Sequence, residues 1–209
     1  ATIVVNPAPT ATVSGNAAVC LGGTEPVITF TNPQNLPITI TYKINSGSNL
    51  TIDVGANSTA TVSAPTTTDG TFDYIGGIVA YQVCPCCPKN LTGKATVVVN
   101  PTPIATVSGD ATVCQNATGT LVTFTNPQSL GVTITYKINS GSNLTVDVAA
   151  SSTATVSVPT TISGTFDYNL MSVAYQSNPG CANNLTGKAT IIVSTTKRAG
   201  AVSAPQRLC

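Results

Sequence analysis

Apolar and polar residues alternate along ITITYKI (Ile38–Ile44) and LTIDV (Leu50–Val54). A period of two is the pattern of a half-buried strand, because successive side chains point to opposite faces. Runs at 10–13, 27–31, 59–63, 71–74 with 78–82, and 94–99 are rich in Thr, Val, Ile and aromatic residues. β-branched side chains are stiff at their first torsion and fit a pleated surface. Between ITITYKI and LTIDV lies Asn45-Ser46-Gly47-Ser48-Asn49, made of turn formers, so the two runs predict a hairpin. Asn32-Pro33-Gln34-Asn35 and residues 65–70 mark further turns. About seven short strands in about 94 residues predict an immunoglobulin-like or fibronectin-like sandwich.

The same pattern then recurs. A shift of 94 positions places residues 7–100 on 101–194 without a gap, with 62 identities. It aligns Cys20 with Cys114, Tyr42 with Tyr136, Phe72 with Phe166, Tyr81 with Tyr175 and Cys87 with Cys181. TYKINSGSNLT is identical at 41–51 and 135–145. A period of this length is a whole domain, not a solenoid unit. The fold class expected is all-β, with two tandem immunoglobulin-like β-sandwich domains at 7–100 and 101–194. Tyr42, Phe72 and Tyr81, with their mates in the second copy, are the expected large core residues. The linker Val99-Asn100-Pro101-Thr102-Pro103 carries two prolines, which stiffen it.

Two segments fall outside the repeat bodies. Ala1, Thr2, Ile3, Val4, Val5 and Asn6 (ATIVVN) match the closing strands ATVVVN at 95–100 and ATIIVS at 189–194. There are three closing strands for two bodies. Residues 1–6 are either the end of a preceding repeat or a spare strand that adds to another subunit, as in pilin donor-strand complementation. The tail, 195–209, has no counterpart and carries three of the eight basic residues.

Charge narrows the partners. Charged residues make up 7 % and the net charge is +1. That field is too weak to argue for nucleic acid or an anionic membrane. No run approaches the roughly 20 apolar residues of a membrane span. Self-association into a polymer, or a carbohydrate or cell-surface ligand, remain the expected partners.

The seven cysteines divide into a repeated set and a remainder. Cys20 and Cys87 recur as Cys114 and Cys181, which predicts one disulfide per module and an oxidising, extracellular location. Cys84, Cys86 and Cys209 are left for an extra or intermolecular disulfide. Cys84-Pro85-Cys86-Cys87 is a poor zinc motif in a chain without histidine.

Catalysis needs a nucleophile, a base and a charge stabiliser within reach. A chain with no histidine and seven carboxylates offers little of this, so no enzyme and no cofactor are expected. Asp53, Asp73, Lys43 and Lys94 recur as Asp147, Asp167, Lys137 and Lys188, and are expected at solvated positions. A Lys–Asn isopeptide bond would require Lys43 or Lys94 buried beside Asn and Asp. Asn-x-Ser/Thr triplets at Asn49, Asn57, Asn90, Asn116, Asn143 and Asn184 are possible glycosylation positions.

The runs PTPIATVSGDATVCQNATGTLVTFTNP, STATVSVPTTISGTFDYNL and NLTGKATIIV resemble the tandem Ig-like or PKD-like repeats of very long Bacteroidota cell-surface proteins, gliding-motility adhesins among them. The resemblance covers residues 1–194. It implies a secreted, surface-displayed adhesin or filament module without enzymatic activity.

Overall fold

The computed structural model describes residues 7–83, 87–177 and 179–195, and the chain divides into two units, one ending at Pro101 and the other starting at Thr102. In module 1 the strands are β1 (Thr12–Ser14), β2 (Ala17–Cys20), β3 (Val27–Asn32), β4 (Ile38–Ile44), β5 (Leu50–Val54), β6 (Ser58–Ser63), β7 (Gly70–Tyr81), β8 (Lys89–Asn90) and β9 (Lys94–Asn100). One sheet has the order β1-β3-β6. The other has the order β2-β9-β7-β4-β5, with β8 paired to β7. Two sheets packed face to face make an immunoglobulin-like sandwich.

Module 2 repeats this arrangement. Its strands are β10 (Thr106–Ser108), β11 (Ala111–Cys114), β12 (Leu121–Asn126), β13 (Val132–Ile138), β14 (Asn143–Val148), β15 (Ser152–Ser157), β16 (Gly164–Tyr175), β17 (Ala182–Asn184) and β18 (Lys188–Ser194). The sheets are β10-β12-β15 and β11-β18-β16-β13-β14, with β17 on β16. The fold is thus two immunoglobulin-like β-sandwiches, as the strand pattern predicted.

The first strand of each module changes sheets partway. β1 pairs antiparallel with β3, and β2, which starts three residues after β1 ends, runs parallel to β9. The switch occurs at Gly15, whose φ is +119°, in the region that favours glycine. A Cβ there would lie 2.4 Å from the Val27 carbonyl oxygen. Gly109 repeats the kink at φ +125°. Just beyond it, Asn16 Oδ1 accepts a bond from Thr96 N–H at 2.7 Å, and Asp110 Oδ1 accepts from Thr190 N–H at 2.6 Å. These two different residues do the same work, satisfying an edge amide of the closing strand.

The core lies between the sheets. Ile28, Phe30, Ile38, Ile40 and Val97 are fully buried in module 1. Phe30 on the small sheet meets Tyr42 on the large one with ring centroids 4.8 Å apart, and Phe124 meets Tyr136 at 4.7 Å. Tilted aromatic pairs at this spacing add to the burial itself. Tyr42, Tyr81, Tyr136 and Tyr175 are buried as expected. Phe72 and Phe166 are instead half-buried at the margin, and the deep aromatic positions are Phe30, Tyr74, Phe124 and Tyr168.

Two further differences have local causes. β2 and β11 are absent from the strand expectation because AAVC and ATVC are four-residue edge segments with almost no alternation. Residues 70–81, expected as 71–74 with 78–82, form one twelve-residue strand, since Thr41 pairs with Ile78 and Tyr42 with Gly76, which leaves Gly77 as the extra residue of a bulge with pairing on both sides of it.

Candidate functional site at the module ends

Each module has a leading end, where the chain comes in, and a trailing end, where the closing strand leaves. At the leading end of module 1 the Asn-Pro-Gln turn is a polar hub. Asn32 is 1 % exposed. Its Nδ2 donates to the carbonyls of Leu36 at 2.9 Å and Gly55 at 2.8 Å, and its Oδ1 accepts from Gln34 N–H at 3.0 Å. Gln34 in turn holds the incoming segment. Its Oε1 accepts from Thr10 N–H at 2.8 Å and its Nε2 donates to the Ala8 carbonyl at 3.1 Å. Tyr81 Oη donates to the Pro7 carbonyl at 3.0 Å. Module 2 repeats the hub with Asn126, and Gln128 binds Ile104 N–H and the Thr102 carbonyl. The sequence reading took this motif for a turn only. Its identity in both copies, TNPQ at 31–34 and 125–128, was the available signal.

The cysteines mark opposite ends. Cys20 lies at the trailing end, paired with Asn100, while Val99 of the same strand pairs with Gly70 at the start of β7. Cys87 precedes β8, whose Lys89 pairs with Val79 near the far end of β7. In module 2, Cys114 pairs with Ser194 beside the start of β16, whereas the Cys181 carbonyl accepts from Tyr175 N–H at the other end of that strand, at 2.9 Å. A twelve-residue strand spans about 35 Å, and a disulfide needs Cα atoms within about 7 Å.

The expected pairs Cys20–Cys87 and Cys114–Cys181 are therefore corrected. Cys20 and Cys181 are each disulfide-bonded, but Cys87 is an exposed free thiol. Equal spacing in sequence reported equivalent positions in two modules, not contact within one. Residues 1–6, Cys84, Cys86 and Cys209 lie outside the described residues.

One repeated pair of charges forms a small cluster across the long strand and the closing strand, with Asp73 on β7 beside Lys94 on β9 and Asp167 on β16 beside Lys188 on β18. Asp73 accepts from Thr96 Oγ1 at 2.7 Å and pairs with Lys94 Nζ at 3.0 Å. Asp167 does the same with Thr190 at 2.8 Å and Lys188 at 3.2 Å. The threonine hydroxyl first, and the lysine ammonium second, hold both carboxyls below the usual carboxylate range. A depressed native pKa gives stability that is fully present above the unfolded value, about 3.9, and is lost as pH falls through the native value. Urea midpoints should thus decline below pH 4, and the double variant Asp73→Asn/Asp167→Asn should lose part of that decline. An unchanged acid limb would refute this role. Lys94 is half exposed and Lys43 exposed, so the buried setting of an isopeptide bond is absent at both. All six asparagines of the Asn-x-Ser/Thr triplets are exposed.

Among the described residues, no three of the His, Cys, Asp and Glu side chains come together to hold a metal, and no helix is long and apolar enough to cross a membrane. Shallow open grooves recur in both modules, lined by Thr31, Asn32, Pro33, Asn57, Ser58 and Thr59 and by their equivalents.

No family model and no curated protein matches the chain. Among solved structures it is similar to a Ca2+-stabilised, ice-binding adhesin of an Antarctic bacterium, at 23 % identity and a TM-score of 0.43, over 93 % of this chain and 51 % of that one. It is also similar to a 1.5-MDa bacterial ice-binding adhesin, at 20 % identity and a TM-score of 0.45, over 94 % and 68 %. A third is invasin, a bacterial integrin-binding protein, at 15 % identity and a TM-score of 0.36, over 89 % and 39 %. The chain spans about half the length of the first of these.

Proposed function

We propose that the chain is a stalk or adhesin repeat segment of an extracellular cell-surface protein, with a structural and binding role and no catalysis. The observation that carries this reading is that each module closes itself. β9 and β18 fill the closing position from within their own bodies. Modules of this kind can be strung together, and the 94-residue duplication reuses the asparagine and glutamine bonds of the hub. The exposed Asn57, Ser58 and Thr59 of the module 1 groove, and Ser151 and Thr153 of its counterpart, supply neutral donors and acceptors, which suits a carbohydrate or another uncharged surface.

The alternative is a filament joined head to tail by donation of residues 1–6. Donation needs an open groove. Here the donated strand would have to displace β9 or β18, or add at an outer edge such as β5 or β6. An antibody against the chain should label intact cells that make it as strongly as permeabilised ones. Labelling confined to permeabilised cells would overturn the surface reading. Deleting residues 1–6 should leave thermal unfolding and particle size unchanged, and loss of polymers in electron micrographs would put strand donation in its place.

A further inference from the structure

The outer strands of module 1 are β1 and β6 on the small sheet, and β2 and β5 on the large one. An open edge invites another strand, and proteins blunt it by shortening, kinking or charging it. β1 has three residues and runs into the Gly15 kink, and β2 has four. β5 carries the exposed Asp53. β6 has none of these guards. It runs six residues, STATVS, without charge or proline, and pairs with β3 at all six without a bulge. Among the described residues, β3 is its sole ladder partner. β15 repeats STATVS and is the same kind of edge beside β12.

The free backbone groups of this edge follow from the ladder. Ala64 N–H donates to the Pro26 carbonyl at 2.9 Å, one step beyond the Val27–Ser63 pair. Bonds to one neighbour fall on alternate residues of an antiparallel strand. Val62, Ala60 and Ser58 therefore bond β3, while the N–H and C=O of Thr59, Thr61 and Ser63 point away from it. Val158 N–H donates to the Thr120 carbonyl at 3.0 Å, which turns Thr153, Thr155 and Ser157 outward in the same way.

We propose that β6 and β15 are self-pairing edges, which join copies of this chain by antiparallel strand addition. STATVS is complementary to itself. With Thr61 opposite Thr61 of a second copy, Thr59 meets Ser63, and every outward-facing residue exchanges both of its hydrogen bonds. Ala60 then faces Val62 on the core side, where both are half-buried, and no like charges meet. A slip of one residue would set core-side side chains against solvent-side ones. The same register sets Thr61 opposite Thr155 when β6 meets β15. This match of the strand to itself, present in both modules, favours a second copy over a foreign strand. Edge pairing does not depend on where a cell displays the chain, so it and the surface reading fail separately.

The test uses the full chain with its exposed thiols alkylated, followed by sedimentation velocity over a concentration series. Mean mass should rise with concentration. Thr61→Lys/Thr155→Lys places like charges opposite each other and should raise the dissociation constant roughly tenfold or more. Both threonines are exposed, so the thermal midpoint should not change. Thr61→Glu/Thr155→Glu should weaken association alike. An equimolar mixture of the two variants should associate again, because lysine then faces glutamate across the register. A merely structural effect of either variant would not be restored by mixing. A chain monomeric at every concentration, association that survives the lysine variant, or a mixture that fails to associate would each overturn the proposal. So would loss of association on deleting residues 1–6, which would make that donated segment the occupant of the edge.

Discussion

Replacing Phe124 with alanine should destabilise module 2 by about 4 kcal/mol, in the range for large-to-small changes of a buried phenylalanine. Phe124 is fully buried on β12, and its ring lies 4.7 Å from that of Tyr136 on the opposite sheet. Truncation removes the ring's burial, leaves a cavity between the sheets and deletes one half of the aromatic pair. Neighbours cannot collapse into the space easily, because Val122 on the same strand and Ile134 and Ile191 on the facing sheet are themselves fully buried. Hydrogen exchange by mass spectrometry reads the effect locally. Protection in β12 and β15, which pair along six residues, should fall by roughly 10^3-fold if those amides exchange through global opening of the module. The marginal variant Phe166→Ala should cost clearly less, since Phe166 is only half-buried. Equal costs for the two would show that sheet-to-sheet packing does not centre on Phe124.

How much of this was legible in the sequence follows from which interactions are local. Alternation in ITITYKI and LTIDV exposed the hairpin, which forms as β4 and β5 with Ile38 opposite Val54. The duplication exposed the modules. Sheet membership was not legible, because the switch at Gly15 depends on a carbonyl twelve residues on, at Val27. Nor was the depth of the aromatics. Phe72 and Tyr74 differ by two positions and share a face, so periodicity ranks them equally, and only the facing sheet decides that Tyr74 lies deeper. The cysteine pairing failed for a related reason. A duplicated sequence makes every pair look like an internal pair, and only the register of β2 on β9 and β8 on β7 reveals that the two positions are a strand length apart.

The Asn-Pro-Gln hub was the other element missed, and it supports the second large effect expected. Asn126→Ala should cost about 3 kcal/mol, the sum of several buried groups left without partners at 1–3 kcal/mol each after partial relaxation. Asn126 is 1 % exposed. Its Nδ2 faces the carbonyls of Leu130 at 2.8 Å, Ala149 at 2.9 Å and Val148 at 3.4 Å, and its Oδ1 takes the Gln128 N–H at 3.0 Å. One side chain therefore ties the β12–β13 turn to the end of β14. Gln128 depends on it, and Gln128 holds the leading segment at Thr102 and Ile104. Asn126→Asp is the discriminating variant. It keeps the acceptor toward Gln128 but turns a carboxylate toward three carbonyls, so at neutral pH it should destabilise more than alanine. Protonation would restore a donor, and the deficit should shrink as pH falls toward 4. Urea midpoints followed by tyrosine fluorescence at two pH values would measure both variants. A cost below about 1 kcal/mol for alanine, or an aspartate variant indifferent to pH, would mean that the repeated motif is a turn and nothing more.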